Sequence, residues 1–214
     1  MKPVLVAYEE SGIITSALRD RGIEAYSNDI QDTRGNPDWH IKGDAMEVIF
    51  SREWGGIICH KVCTYLANSG AKHLYNDCKK ENGINLERWE KMLFDAKEFR
   101  YVLDNAPTKF LAMENPIIHC HAKAIIGPQT QCVQPWWFGT KEIKATCWWL
   151  RGLPSLVKTN DVGPVPKDVA ERRKWAKVHQ CPPGPLRQRI RSETDRNHAE
   201  AIADQWSEYF KGTK

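Results

Sequence analysis

The apolar and polar positions at the start of the chain alternate between short buried runs and a helical repeat. Val4 to Tyr8 predicts a first strand, and Glu9 to Gly12 forms a tight turn after it. Apolar residues then recur at helical spacing until Gly22, where a helix stop is expected. Glu24 to Ser27 predicts a second strand, ending at Asn28-Asp29. This alternation predicts an α/β fold, a mostly parallel sheet with helices on both faces.

The same pattern continues through the rest of the chain. The further predicted elements are the short segment Trp39 to Ile41, the strand Ile57 to Cys59, a strong amphipathic helix capped by Asn85, the strand Phe110 to Met113, strands around Trp136 to Phe138 and Ala145 to Leu150, and a last helix capped by Asp195 or Asn197. Pro154 to Pro185 is rich in proline and charge, which predicts a long excursion from the sheet. We therefore expect a main domain of residues 1–153 and 186–214 and a short insertion at 154–185.

Composition adds little constraint on function beyond the class of protein. A chain of 214 residues holds one good-sized core. No apolar stretch is long enough to cross a membrane, and the chain reaches a strand at once, so no signal peptide is expected. The seven cysteines are irregularly spaced, which favours free thiols in a reducing cytoplasm, here that of a bacterial host.

The positive charge is small overall but uneven along the chain. A formal net charge of +4 permits nucleic-acid binding without arguing for it. The segment Lys167 to Arg191 is dense in Lys and Arg, which fits a phosphate-facing surface as well as an ordinary solvated face. Nine tryptophans are many for this length; most are expected in the core, and stacking of one or two on a base is an alternative.

Two strand ends carry the residues that most clearly indicate chemistry. Cys63 follows the apolar run that ends at Cys59, and Glu114 follows the run that ends at Met113. In an open α/β sheet, the carboxyl ends of the strands form the ligand crevice. A thiol and a carboxylate at two such ends indicate a nucleophile and a proton-handling partner in one cleft.

Acidic residues follow the first three predicted strands. They are Glu9 or Glu10, then Asp29, then Asp44. An acid after the second strand is placed to accept from ribose hydroxyls, and one after the third from an adenine amino group. The first turn lacks the full G-x-G-x-x-G pattern, so an adenosyl ligand without a pyrophosphate fits better than a dinucleotide.

In this order the motifs resemble those of the DNA (cytosine-5) methyltransferases, and specifically a compact, bacteriophage-type member. The matching segments are Val4 to Gly12 for the turn under S-adenosylmethionine, Asn28-Asp29 and Gly43-Asp44 for the adenosyl contacts, Cys63 to Gly70 for the nucleophile motif, Glu114-Asn115-Pro116 for the catalytic carboxylate motif, Phe138 to Lys144 for the basic motif, and Arg191 to Thr194 with the last helix for the closing motif. The resemblance covers nearly the full length. It implies a Rossmann-like fold that uses S-adenosylmethionine and modifies DNA.

The resemblance also implies roles for individual residues. Cys63 would attack C6 of a cytosine, Glu114 would hydrogen-bond N3, and Lys144 would steady the base, which must leave the duplex or already be single-stranded. The residues implied in cofactor binding are Tyr8, Glu9, Ser11, Gly12, Asp29, Asp44, Lys61 and Thr194. Those implied in DNA binding are Asn68, Ser69, Arg189 and Arg191. No metal site is expected.

The chain departs from the family pattern directly before the nucleophile. Lys61-Val62 stands where the family has Pro-Pro. Lys61 is interpreted in four ways: it lowers the thiol pKa, binds a phosphate, points to solvent, or pairs with the carboxylate of the alternative donor carboxy-S-adenosylmethionine. In the last case the enzyme would transfer carboxymethyl instead of methyl.

The second departure is the missing large target-recognition region. Only Pro154 to Pro185 is available to replace it, so specificity is short or loose, or an unidentified partner supplies it. A free nucleotide or single-stranded DNA is then an alternative substrate. Two other classes stay open: an inactive DNA-binding module that keeps the fold, and a redox or zinc protein using Cys59, His60, Cys63 and His119-Cys120-His121.

Overall fold

A seven-stranded sheet forms the centre of the computed structural model, which describes residues 1–184 and 186–212. Its strands are β1 (Val4–Ala7), β2 (Ala25–Asp29), β3 (His40–Lys42), β4 (Gly56–Cys59), β5 (Leu111–Asn115), β6 (Gln131–Val133) and β7 (Thr146–Arg151). Its helices are α1 (Ile13–Arg19), α2 (Ala45–Phe50), α3 (Leu86–Asn105), α4 (Cys120–Ile126), α5 (Val169–Trp175), α6 (Lys177–Gln180), α7 (Arg187–Ser192) and α8 (Arg196–Lys211). Pro185, where the predicted insertion ends, and residues 213–214 of the predicted main domain lie outside the described residues.

The sheet is mostly parallel, as the sequence predicts. Its strand order is β3-β2-β1-β4-β5-β7-β6, and β7 runs antiparallel to both of its neighbours. The order reverses between β1 and β4, which lie side by side with Val4 opposite Gly56. In open α/β sheets a ligand crevice forms at such a switch point, at the carboxyl ends of the strands.

Two apolar clusters cover the two faces of the sheet. Successive residues of β1 point to opposite faces, so Val4 belongs to the cluster around α1 and α8, and Leu5 to the cluster around α3 and α4. Trp206 of α8 and Phe99 of α3 are fully buried in these clusters. A strand buried on both faces reads as a continuous apolar run, which is why β1 was recognisable from the sequence.

The strand predicted at Trp136 to Phe138 is wrong. Residues Pro135–Trp137 form a single 3-10 turn, and the strand at this edge is β6, which lies just before it. Proline has no N–H to donate to a sheet ladder, so the strand ends before Pro135.

The long excursion after β7 leaves the sheet and returns to it at α8. The indole nitrogen of Trp206 donates to the Pro154 carbonyl over 3.0 Å, which anchors the start of this segment. The helices α5 and α6 follow within this segment. Trp175, the last residue of α5, is buried, and its carbonyl accepts from Ile143 N over 2.8 Å, which connects α5 to the segment before β7. Asp195 is the cap of α8, accepting from His198 N over 3.0 Å, which resolves the choice between Asp195 and Asn197.

Candidate active site

The loops that carry Cys63 and Glu114 leave two neighbouring parallel strands. Cys59 of β4 is in register with Met113 of β5, so the two chains leave the same edge of the sheet side by side. Cys63 is partly buried, and the Glu114 side chain is 18% exposed. The structure therefore brings the predicted nucleophile and carboxylate to one edge.

Four hydrogen bonds tie these two loops together. The bonds are Asn115 Nδ2 to Lys61 O at 2.8 Å, Asn68 N to Ile117 O at 2.8 Å, His119 N to Leu66 O at 3.1 Å, and one between the His119 Nε2 and Tyr65 O at 2.9 Å. Asn115 and His119 are both buried. The nucleophile loop is thereby held against the carboxylate strand by backbone and buried side-chain contacts.

Burial and charge act on the Cys63 thiol in opposite directions. Burial, together with the nearby Glu114 carboxylate, raises the pKa of Cys63, while the charges of Arg191 and Lys144 oppose the rise. These interactions link Cys63 to groups on three other parts of the chain: β5, the segment before β7, and α7. The thiol thus lies within electrostatic range of the predicted carboxylate and the predicted basic residue, and the space among these groups is called the cleft below.

Lys144 reaches into this cleft from the segment before β7. Its ammonium donates to the Glu193 carbonyl over 2.6 Å, which connects the segment to the junction of α7 and α8. Burial lowers the pKa of Lys144, and the Glu114 carboxylate opposes that change. Its predicted role in catalysis stays a prediction.

A small cavity of about 20 Å³ lies beside Glu114. His60, Lys144, Thr194 and His198 are among the residues that line it. The Nε2 atoms of His60 and His198 are buried and have no hydrogen-bond partner among the described residues. Burial lowers the pKa of His198 to about 3, so this ring is neutral at physiological pH. The cavity has room for about one water molecule, so a nucleobase would need the surrounding segments to open.

Lys61 does not point to solvent, so that interpretation is wrong. It is 7% exposed, and its ammonium donates to Glu98 of α3 over 2.5 Å and to the Tyr8 hydroxyl over 3.4 Å. Burial is the largest influence and alone would lower the pKa of Lys61, but the hydrogen bond with Glu98 and the charges of Tyr8, Glu98 and Asp95 together outweigh it, so the pKa is raised. The cations that act on Cys63 are Arg191 and Lys144, so lowering of its thiol pKa by Lys61 is not supported.

The turn after β1 is held by its own helix. The Glu9 carboxylate, 4% exposed, accepts from Ile14 N at 2.6 Å and from the Thr15 hydroxyl at 2.6 Å, at the first turn of α1. These oxygens are therefore occupied within the protein. Gly12 has a φ of 67°, in the left-handed region, and its Cα packs against Gly35. Tyr8 also has a positive φ, 59°, which is strained for a residue with a side chain.

The acids after β2 and β3 differ in what they contact. Asp29 is partly exposed and accepts from Gln31 N over 2.9 Å. Asp44 is exposed and caps α2, accepting from Met46 N over 2.8 Å. Ile30, beside Asp29, is 71% exposed, so an apolar side chain and a carboxylate are displayed together. A carboxylate beside an exposed apolar residue fits the ribose and base of an adenosyl group.

Arg34 joins the turn after β1 to the α7–α8 junction. Its guanidinium pairs with Glu10 at 2.7 Å and with Glu193 at 2.7 Å. Thr194, next to Glu193, lines the cavity described above. Ser11 is partly buried, and its hydroxyl lies 3.5 Å from Ile13 N. The binding of a cofactor by Ser11 and Thr194 stays a prediction.

The predicted DNA contacts are all on the surface. Asn68 and Ser69 are exposed and follow the nucleophile loop, and Arg189 and Arg191 are exposed on α7. Of these, Arg191 lies close enough to act electrostatically on Cys63. Their contact with DNA stays a prediction.

Sequence analysis missed three residues of the site: His60 as a partner of Glu114, Asn115 as a tie between loops, and Glu98 as the partner of Lys61. His60 Nδ1 lies 3.2 Å from Glu114 Oε2. The zinc alternative grouped His60 with cysteines, but Cys59 is 0% exposed, and the described residues contain no group of three or more potential ligands arranged around a metal. No helix of residues 1–184 and 186–212 has the length and apolar character to cross a membrane.

The strand order, with β7 antiparallel to both of its neighbours, is that of the Rossmann-like methyltransferase fold, as predicted. No family model matches the chain, and no curated protein matches it. Among solved structures, the Dnmt2 methyltransferase of S. pombe is similar, with 13% identity and a TM-score of 0.41. The match covers 96% of this chain and 65% of that one, so the chain spans about two thirds of that structure's length. At this similarity it assigns no role to any residue.

Proposed function

We propose that this protein transfers a methyl group from S-adenosylmethionine to C5 of cytosine in DNA, with Cys63 as nucleophile and Glu114 as its acidic partner. One observation carries the proposal: a partly buried thiol and a carboxylate leave adjacent parallel strands and share a cleft with Lys144 and Arg191. S-adenosylmethionine, held by Asp29 and the turn after β1, would supply the methyl group as an electrophilic sulfonium.

The chain's own residues then have complementary tasks. Cys63 adds through sulfur to C6 of the ring, which makes C5 nucleophilic, and Glu114 supports a proton on N3. Glu114 Oε2 lies beside His60, and its Oε1 accepts no hydrogen bond from another described residue, so that oxygen is available to a base. The ties between the two loops fix the separation between sulfur and carboxylate, which favours addition to a ring held between them.

DNA as the substrate is supported by the distribution of exposed cations. Arg191 of α7 acts electrostatically on Cys63, Arg189 is exposed on the same helix, and α5 displays three more basic residues in its last turn. Exposed Lys and Arg side chains are suited to phosphate contacts. The small cavity beside Glu114 requires the α7 segment to move before a flipped base enters, at a cost that single-stranded DNA would reduce.

Covalent trapping on DNA containing 5-fluorocytosine tests this proposal. In the presence of S-adenosylmethionine the wild-type protein is expected to form a stable adduct, because fluorine cannot leave C5 as a proton does. Cys63→Ser is expected to form none. The matched control is Cys78→Ser, which changes an exposed thiol outside the cleft. Nucleoside mass spectrometry of methylated DNA identifies the group transferred.

The same experiment separates the enzyme from the inactive DNA-binding module. A module that only binds would retard DNA in a gel but leave no covalent adduct and no modified nucleoside. That result with the wild-type protein would overturn the proposal. Trials on duplex DNA, single-stranded DNA and free dCMP distinguish the substrates left open by the missing target-recognition region.

Carboxymethyl transfer from carboxy-S-adenosylmethionine is the second candidate. It is favoured by the burial of Lys61 beside Tyr8 near the carboxyl ends of β1 and β4. Glu98 already pairs with Lys61, however, so its positive charge is offset. The pair as it stands favours a donor without a carboxylate, which is why methyl transfer is the leading proposal.

A further inference from the structure

We infer that His60 is a positioning residue that supplies the proton Glu114 delivers to cytosine N3. This inference rests on the proposed function. The imidazole lies directly after β4, with Nδ1 3.2 Å from Glu114 Oε2. Its side chain is 13% exposed, so bulk water competes weakly for this contact.

The two nitrogens of the ring face different surroundings. Nδ1 faces the carboxylate, while Nε2 is buried without a hydrogen-bond partner in the described part of the chain, and the ring lines the cavity beside Glu114. A cavity of about 20 Å³ holds about one water molecule, which can accept from Nε2–H when the ring is protonated. Trp148 packs edge-on against the ring, with centroids 6.0 Å apart, and restricts its rotation. The ring thus bridges a water-sized space and the carboxylate.

Charged and titratable groups from several elements surround His60. Glu114 on β5, Glu9 after β1 and Asp195 at the start of α8 are acids near it, and Lys144 and His198 line the same cavity. Within residues 1–184 and 186–212, His198 Nε2 has no hydrogen-bond partner, and burial lowers the pKa of His198 to about 3. His198 therefore lines the cavity as a neutral ring, and His60 is the cavity histidine that contacts a carboxylate, that of Glu114.

The proton and electron movements balance over the cycle. As the Cys63 thiolate, whose proton has passed to solvent, bonds to C6, the C5–C6 π pair shifts toward C4 and the C4–N3 π pair to N3. N3 then takes a proton from Glu114, which takes the Nδ1 proton of the His60 imidazolium. After alkylation at C5, the C5 proton leaves to solvent, its bonding pair re-forms C5–C6, and sulfur departs with the S–C6 pair. The N3 proton returns through Glu114 to His60.

Release of tritium from [5-³H]cytosine in DNA tests this inference without any methyl donor. Tritium release requires only reversible addition of Cys63 at C6 and exchange of the hydrogen on C5. The rate of wild-type release is expected to show a limb in its pH profile, because the relay requires a proton on the imidazole. His60→Asn places an amide near the Nδ1 position, which donates to Glu114 but carries no transferable proton. The His60→Asn variant is expected to release tritium about 100-fold more slowly than the wild type and to lose the limb in the pH profile. The matched control is His73→Asn, an exposed histidine outside the cleft.

A uniform loss at every pH, with the limb retained, would assign His60 a merely structural role and overturn the inference. Circular dichroism verifies folding, and His60→Gln replaces His60→Asn if the latter does not fold. If the wild-type protein neither releases tritium nor forms the 5-fluorocytosine adduct, the proposed function fails as well. If the wild-type protein forms the adduct but the His60 variant keeps the limb in its pH profile, the His60 inference is wrong and the proposed function stands.

Discussion

The Asn115 side chain donates to the Lys61 carbonyl over 2.8 Å and so fastens the strand that carries Glu114 to the loop that carries Cys63. Asn115→Ala removes this buried bond. We expect a loss of about 1–3 kcal/mol in the free energy of unfolding and a fall of about 100-fold in kcat/KM, because the thiol loses its fixed position. Urea unfolding and steady-state kinetics measure the two effects.

Asn105→Ala is the control, since it removes an exposed amide bond to Tyr101 O of 2.9 Å far from the cleft. Equal loss of activity in both variants would show that Asn115 does not position the loop.

The raised pKa of Cys63 predicts slow alkylation near neutral pH. The thiolate is the reactive form, so the iodoacetamide reaction of Cys63 is expected to accelerate as pH rises, with a midpoint above the ordinary value of about 8.5. Glu114→Gln removes a neighbouring negative charge and should speed the reaction at pH 7. Arg191→Gln removes an opposing positive charge and should slow it. Peptide-resolved mass spectrometry separates Cys63 from the other thiols. A slower reaction in Glu114→Gln together with a faster reaction in Arg191→Gln would refute this account.

The Lys61–Glu98 pair predicts how the donor preference is set. Glu98→Gln leaves a buried ammonium without its carboxylate, and we expect a lower Tm in the absence of ligand. Carboxy-S-adenosylmethionine should then raise the Tm of this variant more than S-adenosylmethionine does, because its carboxylate replaces Glu98. Differential scanning fluorimetry with both donors measures this.

Glu90→Gln is the control on the same helix, with an exposed side chain. An identical response of Glu98→Gln and Glu90→Gln to the two donors would remove Lys61 from donor recognition.

The cations of α7 predict a salt-dependent interaction with DNA. Arg189→Gln/Arg191→Gln should reduce the slope of log K against log salt concentration by about 2, since each phosphate contact contributes about 0.9. Lys2→Gln/Lys109→Gln removes the same charge at the amino ends of β1 and β5, the opposite edge of the sheet. Fluorescence anisotropy at several salt concentrations compares them, and equal slopes for the two double variants would place DNA elsewhere.

His198 predicts part of the acid sensitivity of the fold. Its pKa is lowered to about 3 in the folded protein, against about 6.5 in an unfolded chain. The neutral ring therefore contributes stability above about pH 6.5 that is lost as pH falls toward 3, by at most about 1.4 kcal/mol per pH unit. His198→Phe, which preserves the stacking on Phe138, should flatten this decline in urea titrations at several pH values. If the free energy of unfolding of His198→Phe falls with pH as steeply as that of the wild type, His198 is not a source of the acid sensitivity.

Strands and strand ends were predictable because their signals are local. β1, β4 and β5 are buried runs followed at once by polar turns, so Cys63 and Glu114 could be assigned to one edge of a sheet. The cap of α3 at Asn85 was equally visible, and its side chain accepts from Arg88 N over 3.0 Å. Pro135 was a local signal too, but the adjacent tryptophans masked it.

The remaining features of the site depend on tertiary contacts that no local pattern encodes. Lys61 and Glu98 are 37 residues apart, and their pairing requires α3 to pack beside the loop after β4. Likewise, His60 meets Glu114 only because β4 and β5 are neighbours in register. For the same reason the hydrogen bonds of Glu9 to the start of α1 were not predicted, and its role in cofactor binding stays a prediction.

Both ends of the described chain lie at the edge of the sheet away from the cleft. The Phe210 ring near the end of α8 occupies the space where a side chain at Gly56 would stand, and Gly55 packs on the Lys2 carbonyl. A fusion partner or surface tether attached at either end would consequently leave access to Cys63 unobstructed. A circular permutant that joins the two ends with a short linker and opens within 157–167 should likewise keep its catalytic edge intact.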